Sequence, residues 1–158
     1  MIKLNKIAKC ILNIKYFKFY LIGVSPLFEF EELLKKIKDL NTLIDIGSNK
    51  GQFILIIKKF FPKVKVYSFE PLKKEIDFQK KFLKKANINF YNIGLGNKKQ
   101  KLKINVLKRR DSSSFLNPIN NINTNYKKSY TEIIKLDRLD NVLKKRIKKP
   151  SLIKLDVQ

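Results

Sequence analysis

A short apolar run that ends in glycine and turns straight into a helix leaves few folds open. Residues 42–61 carry such a run. Thr42-Leu43-Ile44-Asp45-Ile46-Gly47 lacks the alternation of a half-solvated strand and reads as a buried parallel strand. Gln52 to Phe61 is apolar and helix-length, and Pro62 closes it. Between them lies the turn Asp45-Ile46-Gly47-Ser48-Asn49-Lys50-Gly51, spaced D-x-G-x-x-x-G. Gly47 and Gly51 permit a tight backbone and a close approach by a ligand. The helix that follows aims unpaired N–H groups into the turn.

The same rhythm repeats downstream. Val64 to Phe69 is a second strand, Pro71 opens a helix through Ala86, and Ile88 to Ile93 is a third strand. A βαβαβ alternation requires a parallel sheet with right-handed crossovers. Glu70 ends the second strand about 20 residues beyond the turn, where a carboxylate can accept both hydroxyls of a ribose. A phosphate loop needs G-x-x-x-x-G-K-[ST], which residues 47–52 do not supply. A dinucleotide fingerprint needs G-x-G-x-x-G, and Asp45 stands in place of its first glycine. An acid there opposes a pyrophosphate but suits a sulfonium or ammonium, which points to S-adenosyl-L-methionine. Two alternatives remain: a purely structural turn, and a nicotinamide-dependent oxidoreductase lacking its pyrophosphate fingerprint.

Around this unit the reading is coarser. Ile7, Ile11, Ile14, Phe17 and Leu21 recur at helical spacing, so residues 1–22 read as one amphipathic helix. It is expected to pack on the domain or to extend from it; a basic helix lying on an anionic membrane is the alternative. Phe30 to Leu40 is a further helix, acidic early and basic late. Lys101 to Leu107 alternates like an antiparallel or edge strand, and residues 111–129 read as a long loop rich in Ser, Asn and Pro. Thr131 to Leu136 is a strand, Asp137 to Ile147 a short helix, and Ser151 to Val157 a final buried strand.

Composition excludes more than it identifies. The 158 residues hold 36 Lys+Arg against 13 Asp+Glu, a formal charge of +23, and suit one domain. Nearly all of that charge is lysine, with arginine only at Arg109, Arg110, Arg138 and Arg146. Lysine, isoleucine and asparagine rise together, as a nucleotide bias in the coding sequence would produce. A nucleic-acid reader would favour arginine, so nucleic acid is not the expected partner, although a functional basic surface is the competing reading. Cys10 is the sole cysteine and histidine is absent, which removes intrachain disulfides, cysteine zinc clusters and imidazole bases. No metal site is expected. The longest apolar stretch, near Phe19 to Phe28, falls short of the roughly 20 residues a membrane span requires. Lysines interrupt any leader, and a cytoplasmic location is expected.

Six segments in order then resemble one family. They are Asp45 to Phe53, Ser68-Phe69-Glu70-Pro71, Asn92 to Asn97, Ser112-Ser113-Ser114-Phe115, Leu136-Asp137, and Leu152 to Gln158. The series is similar to the FkbM family of S-adenosylmethionine-dependent methyltransferases, with Ser48 and Lys50 as mild departures. The resemblance implies an α/β, Rossmann-like class I methyltransferase fold, three-layered around a mostly parallel sheet. Residues 1–40 would be an N-terminal helical extension and residues 41–158 a partial methyltransferase domain. It implies O-methylation, often of a sugar or other small molecule, so that the partner is a small-molecule or glycan acceptor. Asp45, Gly47, Asn49 and Gly51 would line the methionine and ribose side of the cofactor. Glu70 would hold the ribose hydroxyls, and the Gly94-Leu95 turn would lie near the adenine. Asp156 would orient or deprotonate the acceptor, with a plain turn or capping carboxylate as the competing role. Ser112 to Ser114 read chiefly as a loop turn, and Leu136-Asp137 as a strand end and helix cap. The family continues beyond Gln158 with Gly-x-Glu and further elements. The chain is therefore expected to be a fragment with weak activity alone and an exposed apolar edge near residues 152–157. Peripheral membrane contact through residues 1–22 stays open, and oligomeric state is not legible.

Overall fold

A computed structural model describes residues 2–83, 87–108, 113, 128–144 and 147–157. The N-terminal part comprises α1 (Ile2–Ile11), α2 (Ile14–Leu21), a 3-10 turn (Phe28–Phe30) and α3 (Glu31–Lys35). The α/β unit follows as β1 (Thr42–Ile46), α4 (Gln52–Phe60), β2 (Lys65–Phe69), α5 (Lys73–Phe82) and β3 (Ile88–Tyr91). After it come β4 (Gly94–Leu95), β5 (Gln100–Leu107), β6 (Lys128–Asp137), α6 (Leu139–Val142) and β7 (Ser151–Leu155).

The main sheet runs β3-β2-β1-β7, and all three of its pairings are parallel. Side chains alternate across it as a pleated sheet demands. Leu43 and Val66 join the core under α4, together with Ile54, Ile56 and Ile57. Ile44, Ile46, Tyr67 and Phe69 face the other way, toward Tyr91, Leu139, Val142 and Leu143. The result is a three-layer, Rossmann-like α/β fold, with Phe69 stacked on Tyr91 at 4.7 Å between ring centres. A smaller sheet, β4-β6-β5, pairs β5 with β6 antiparallel, as the alternation of residues 101–107 implied.

Several expectations need correction. Residues 1–22 form two helices rather than one, because Asn13 breaks the run and its side-chain oxygen accepts the Tyr16 N–H at 3.4 Å. The apolar stripe of this segment faces outward: Ile7, Ile11, Ile14, Phe17 and Leu21 are all exposed. Docking falls instead to buried Cys10 and Tyr16, and to Phe19 against the α4 core. The helix expected over Phe30 to Leu40 stops at Lys35, since Leu40 is drawn into the core at the entrance to β1. The final strand is not buried. It pairs only with β1, and Ile153 and Leu155 stand 55% and 68% exposed on the face away from α4. Gly94-Leu95 is not a free turn but a two-residue parallel bridge to Leu136 and Asp137. Strand β6 begins at Lys128, inside the span read as loop; residues 111–112 and 114–127 of that span lie outside the described residues.

Candidate functional site

The turn after β1 is held in place by backbone and side chain together. Gly47 has φ +71°, and a β-carbon there would lie 2.0 Å from the Asp156 carbonyl oxygen. That contact joins the turn to the residue just past β7, and the Asp156 N–H donates to Ile46 O at 3.1 Å. Gly51 caps α4 with φ +81°, under Leu83. Asn49 also occupies the left-handed region, at φ 48°, a conformation asparagine tolerates better than most residues.

Glu70 fixes that strained residue. Its Oε2 accepts the Asn49 N–H at 2.8 Å, and its Oε1 accepts the Leu72 N–H at 2.9 Å. The carboxylate therefore clamps two loops, and each oxygen keeps a further lone pair for another donor. Burial pushes the Glu70 carboxyl up to about 7, against the pull of those two N–H donors.

Beneath the turn lies a buried polar cluster. Ser68 Oγ donates to Gln79 Oε1 at 2.6 Å, and Gln79 Nε2 donates to Ser48 Oγ at 2.8 Å and to the Asn49 carbonyl. Ser48 and Ser68 hydroxyls are 2.7 Å apart. This cluster ties α5 to the turn, and every side chain in it is buried.

A cleft opens above these residues at the C-terminal ends of β1 and β2, where ligands sit in open parallel sheets. Of the eight site residues read from the sequence, it is lined by Gly47, Asn49, Glu70, Gly94, Leu95 and Asp156. Gly51 does not line it; it is buried under Leu83 at the start of α4. Asp45 does not line it either and is fully buried. Neither Asp45 oxygen has a hydrogen-bond partner among the described residues, and the nearest cation, Lys154 Nζ, is 3.5 Å away. Burial raises the Asp45 carboxyl to about 6, and Lys154 restrains the shift. Asp45 thus lies beneath the cleft rather than on its wall, and the charge it faces is that of Lys154.

Sequence reasoning missed Lys154. Its ammonium reaches Asp156 Oδ2 at 3.2 Å and donates to Gly47 O at 3.1 Å, so it links β7 to the turn. A signal was present, since Lys154 and Asp156 share one side of a strand by the two-residue period. Register completes the arrangement by setting Lys154 opposite Asp45. Gln79 gave no signal within a lysine-rich helix. Glu75, buried on α5, also lines the cleft. Of Ser112 to Ser114 only Ser113 is described; it lines the cleft, and its Oγ accepts the Leu107 N–H at 3.3 Å. Asp137 lies outside the cleft and accepts from Asn141 Nδ2 at 2.8 Å, which fits a strand end leading into α6.

The lining is unlike the rest of the molecule. Glu70, Glu75 and Asp156 line it, and no lysine or arginine does among the described residues. In a chain with 36 basic residues, these carboxylates set a local charge opposite to that of the chain as a whole. Ile93, Leu95, Ile104, Ile134 and Leu136 add an apolar wall from β3–β6.

A search of curated proteins found no match. The profile of the methyltransferase FkbM domain matches residues 45–158, from the β1 aspartate to the last residue. That span contains the turn, the Glu70 clamp and the β7 junction, and it covers well over half of the sequence. The chain belongs to the FkbM methyltransferase family.

Proposed function

We propose that the cleft binds S-adenosyl-L-methionine and that the protein transfers its methyl group to a hydroxyl of a sugar or other small molecule. The observation that carries this reading is a cleft lined by Glu70, Glu75 and Asp156, with no lysine or arginine among its described lining residues, in a chain of charge +23. A cationic sulfonium with an ammonium is favoured there, whereas a dinucleotide is opposed. The residues suit the cofactor's other parts. Glu70 retains lone pairs for two ribose hydroxyls, and Ile93 and Leu95 offer an apolar shelf to a flat base.

When bound, the cofactor would supply an electrophilic methyl group for the acceptor oxygen, with the electron pair of its S–CH3 bond left on sulfur. The chain's own task is to hold the acceptor oxygen in line, which can be worth effective molarities of about 10⁵ M or more. Asp156 is positioned to accept a hydrogen bond from the acceptor hydroxyl, since it lines the cleft with its carboxylate largely in solvent. Lys154 holds that carboxylate at 3.2 Å. The proton released from the hydroxyl passes to Asp156 or to water. Parallel titrations of S-adenosylmethionine and NADH test the reading. Saturable binding of the first alone is expected, and selective NADH binding would replace this reading with an oxidoreductase.

A further inference from the structure

The N-terminal helices carry two apolar faces, and only one is covered. Cys10, Tyr16 and Phe19 face inward, and Tyr16 packs edge-on against Phe28 at 5.7 Å. The outward face holds Ile11, Leu12, Ile14 and Leu21, between 55% and 86% exposed, with Phe17 beside them. On α2 the exposed residues follow helical spacing: Ile14, Phe17 and Leu21 form one stripe, with Lys18 inside it. Next to that stripe runs a groove lined by Ile14, Lys18, Phe19, Ile22 and Phe82 of α5.

Charge determines what can cover this face. The first 28 residues contain five lysines (Lys3, Lys6, Lys9, Lys15 and Lys18) and no aspartate or glutamate. The first acid, Glu29, comes only after both helices. A second copy of a chain of charge +23 would bring like charges together, which opposes self-association through this face. An anionic partner with an apolar interior suits both the stripe and Lys18 within it, while Lys9 is paired with Glu31. Helices with a basic side and a Phe/Leu/Ile side lie in the plane of a bilayer, buried about 5–10 Å into the headgroup region. No helix among the described residues is long and apolar enough to cross a membrane.

We propose that α1 and α2 form an interfacial anchor that docks the protein on an anionic lipid bilayer through Ile11, Leu12, Ile14, Phe17 and Leu21. The attachment is in plane and reversible. Glu31 transmits it to the domain: this carboxylate pairs with Lys9 of α1 and Lys59 of α4. The inference rests on the helical hairpin alone and does not depend on what the cleft binds.

The full chain, centrifuged with vesicles, tests it. Vesicles of equimolar phosphatidylcholine and phosphatidylglycerol are expected to carry the protein down, and vesicles of phosphatidylcholine alone are not. Raising the salt should release it. The double variant Ile14→Gln/Leu21→Gln replaces two solvent-facing residues and should keep the wild-type thermal midpoint. Its vesicle affinity should fall at least about tenfold, the expected minimum for removing two buried apolar side chains from an interface. Failure of the wild type to sediment with anionic vesicles would overturn the proposal. Unchanged affinity of the double variant would do so too, because charge alone would then explain binding. So would a wild-type dimer in size-exclusion chromatography that the double variant converts to monomer.

Discussion

The cleft and the N-terminal hairpin treat the same resources in opposite ways. At the cleft, acids are gathered in a strongly basic chain, the backbone is forced, and apolar residues are largely covered. On the hairpin, lysine is the only charged residue type and the longest apolar stripe faces solvent. The cleft is a site that excludes alternatives by close contact: a β-carbon on Gly47 has no space, and two backbone N–H donors fix the Glu70 carboxylate, one on each oxygen. The hairpin excludes alternatives by charge and not by shape. Function in the first therefore depends on tenths of an ångström, and in the second on area and ionic strength.

If the contrast holds, substitutions at the cleft should cost far more than equivalent ones on the hairpin. The largest effect is expected from Gly47→Ala. Positive φ and a 2.0 Å collision with the Asp156 carbonyl should lower stability by about 3 kcal/mol or more. Chemical denaturation measures it, and a loss within about 0.5 kcal/mol would show that the turn can relax. Next comes Glu70→Gln. Losing a charged acceptor should weaken S-adenosylmethionine about 10–100-fold, read by calorimetry.

Lys154→Met follows, at about 1–3 kcal/mol, because it leaves Asp45 buried without its cation. The sign with pH is defined. Asp45 has its folded carboxyl raised from 3.8 to about 6, so the folded state binds the proton more tightly than the unfolded chain. Its contribution to stability is largest in acid and declines as pH rises through that window. Removing Lys154 raises the folded value further. The variant's deficit should therefore shrink on acidification, and a deficit independent of pH would show that Asp45 is not the group concerned.

The smallest effect is expected from Glu31→Gln, about 1 kcal/mol, since its two lysine partners are half exposed. Lys59 and Lys9 hold the Glu31 carboxyl down at about 2. That contribution is present above the ordinary carboxylate range and is lost as pH falls from about 4.5 toward 2. Hydrogen exchange should rise in α1 and α2 and leave β1 and β2 unchanged. Equal acceleration in both regions would remove the distinction between them.

The two regions also differ in how far the sequence reveals them. The strand–turn–helix at Thr42–Phe60 is legible because its glycines, its closing proline and its unbroken apolar run are local signals. Six of the eight residues read as site residues line one cleft: Gly47 and Glu70 carry local signals, whereas Asn49, Gly94, Leu95 and Asp156 come only through the family resemblance. Asp45 and Gly51 do not line it, because the side-chain direction of a buried strand residue and the covering of a cap are set by neighbours far along the chain. Lys154, 109 positions from Asp45, acquires its role only through β1–β7 register. On the hairpin, the stripe Ile7-Ile11-Ile14-Phe17-Leu21 is legible as a period, but a period carries no direction. Which face turns inward is decided by Tyr16 against Phe28, by Phe19 against the α4 core and by Asn13, which breaks the helix.

The proposed function requires that Glu70, buried in the lining of the cleft, receive the ribose of S-adenosylmethionine as a carboxylate. Calorimetric titration of that cofactor into the wild type and Glu70→Gln, at pH values on both sides of about 7, tests it most directly. Affinity for the wild type should rise as Glu70 ionises through that value, while Glu70→Gln should stay weak and insensitive to pH. Absence of binding at any pH, or equal affinity of the two proteins, would contradict it.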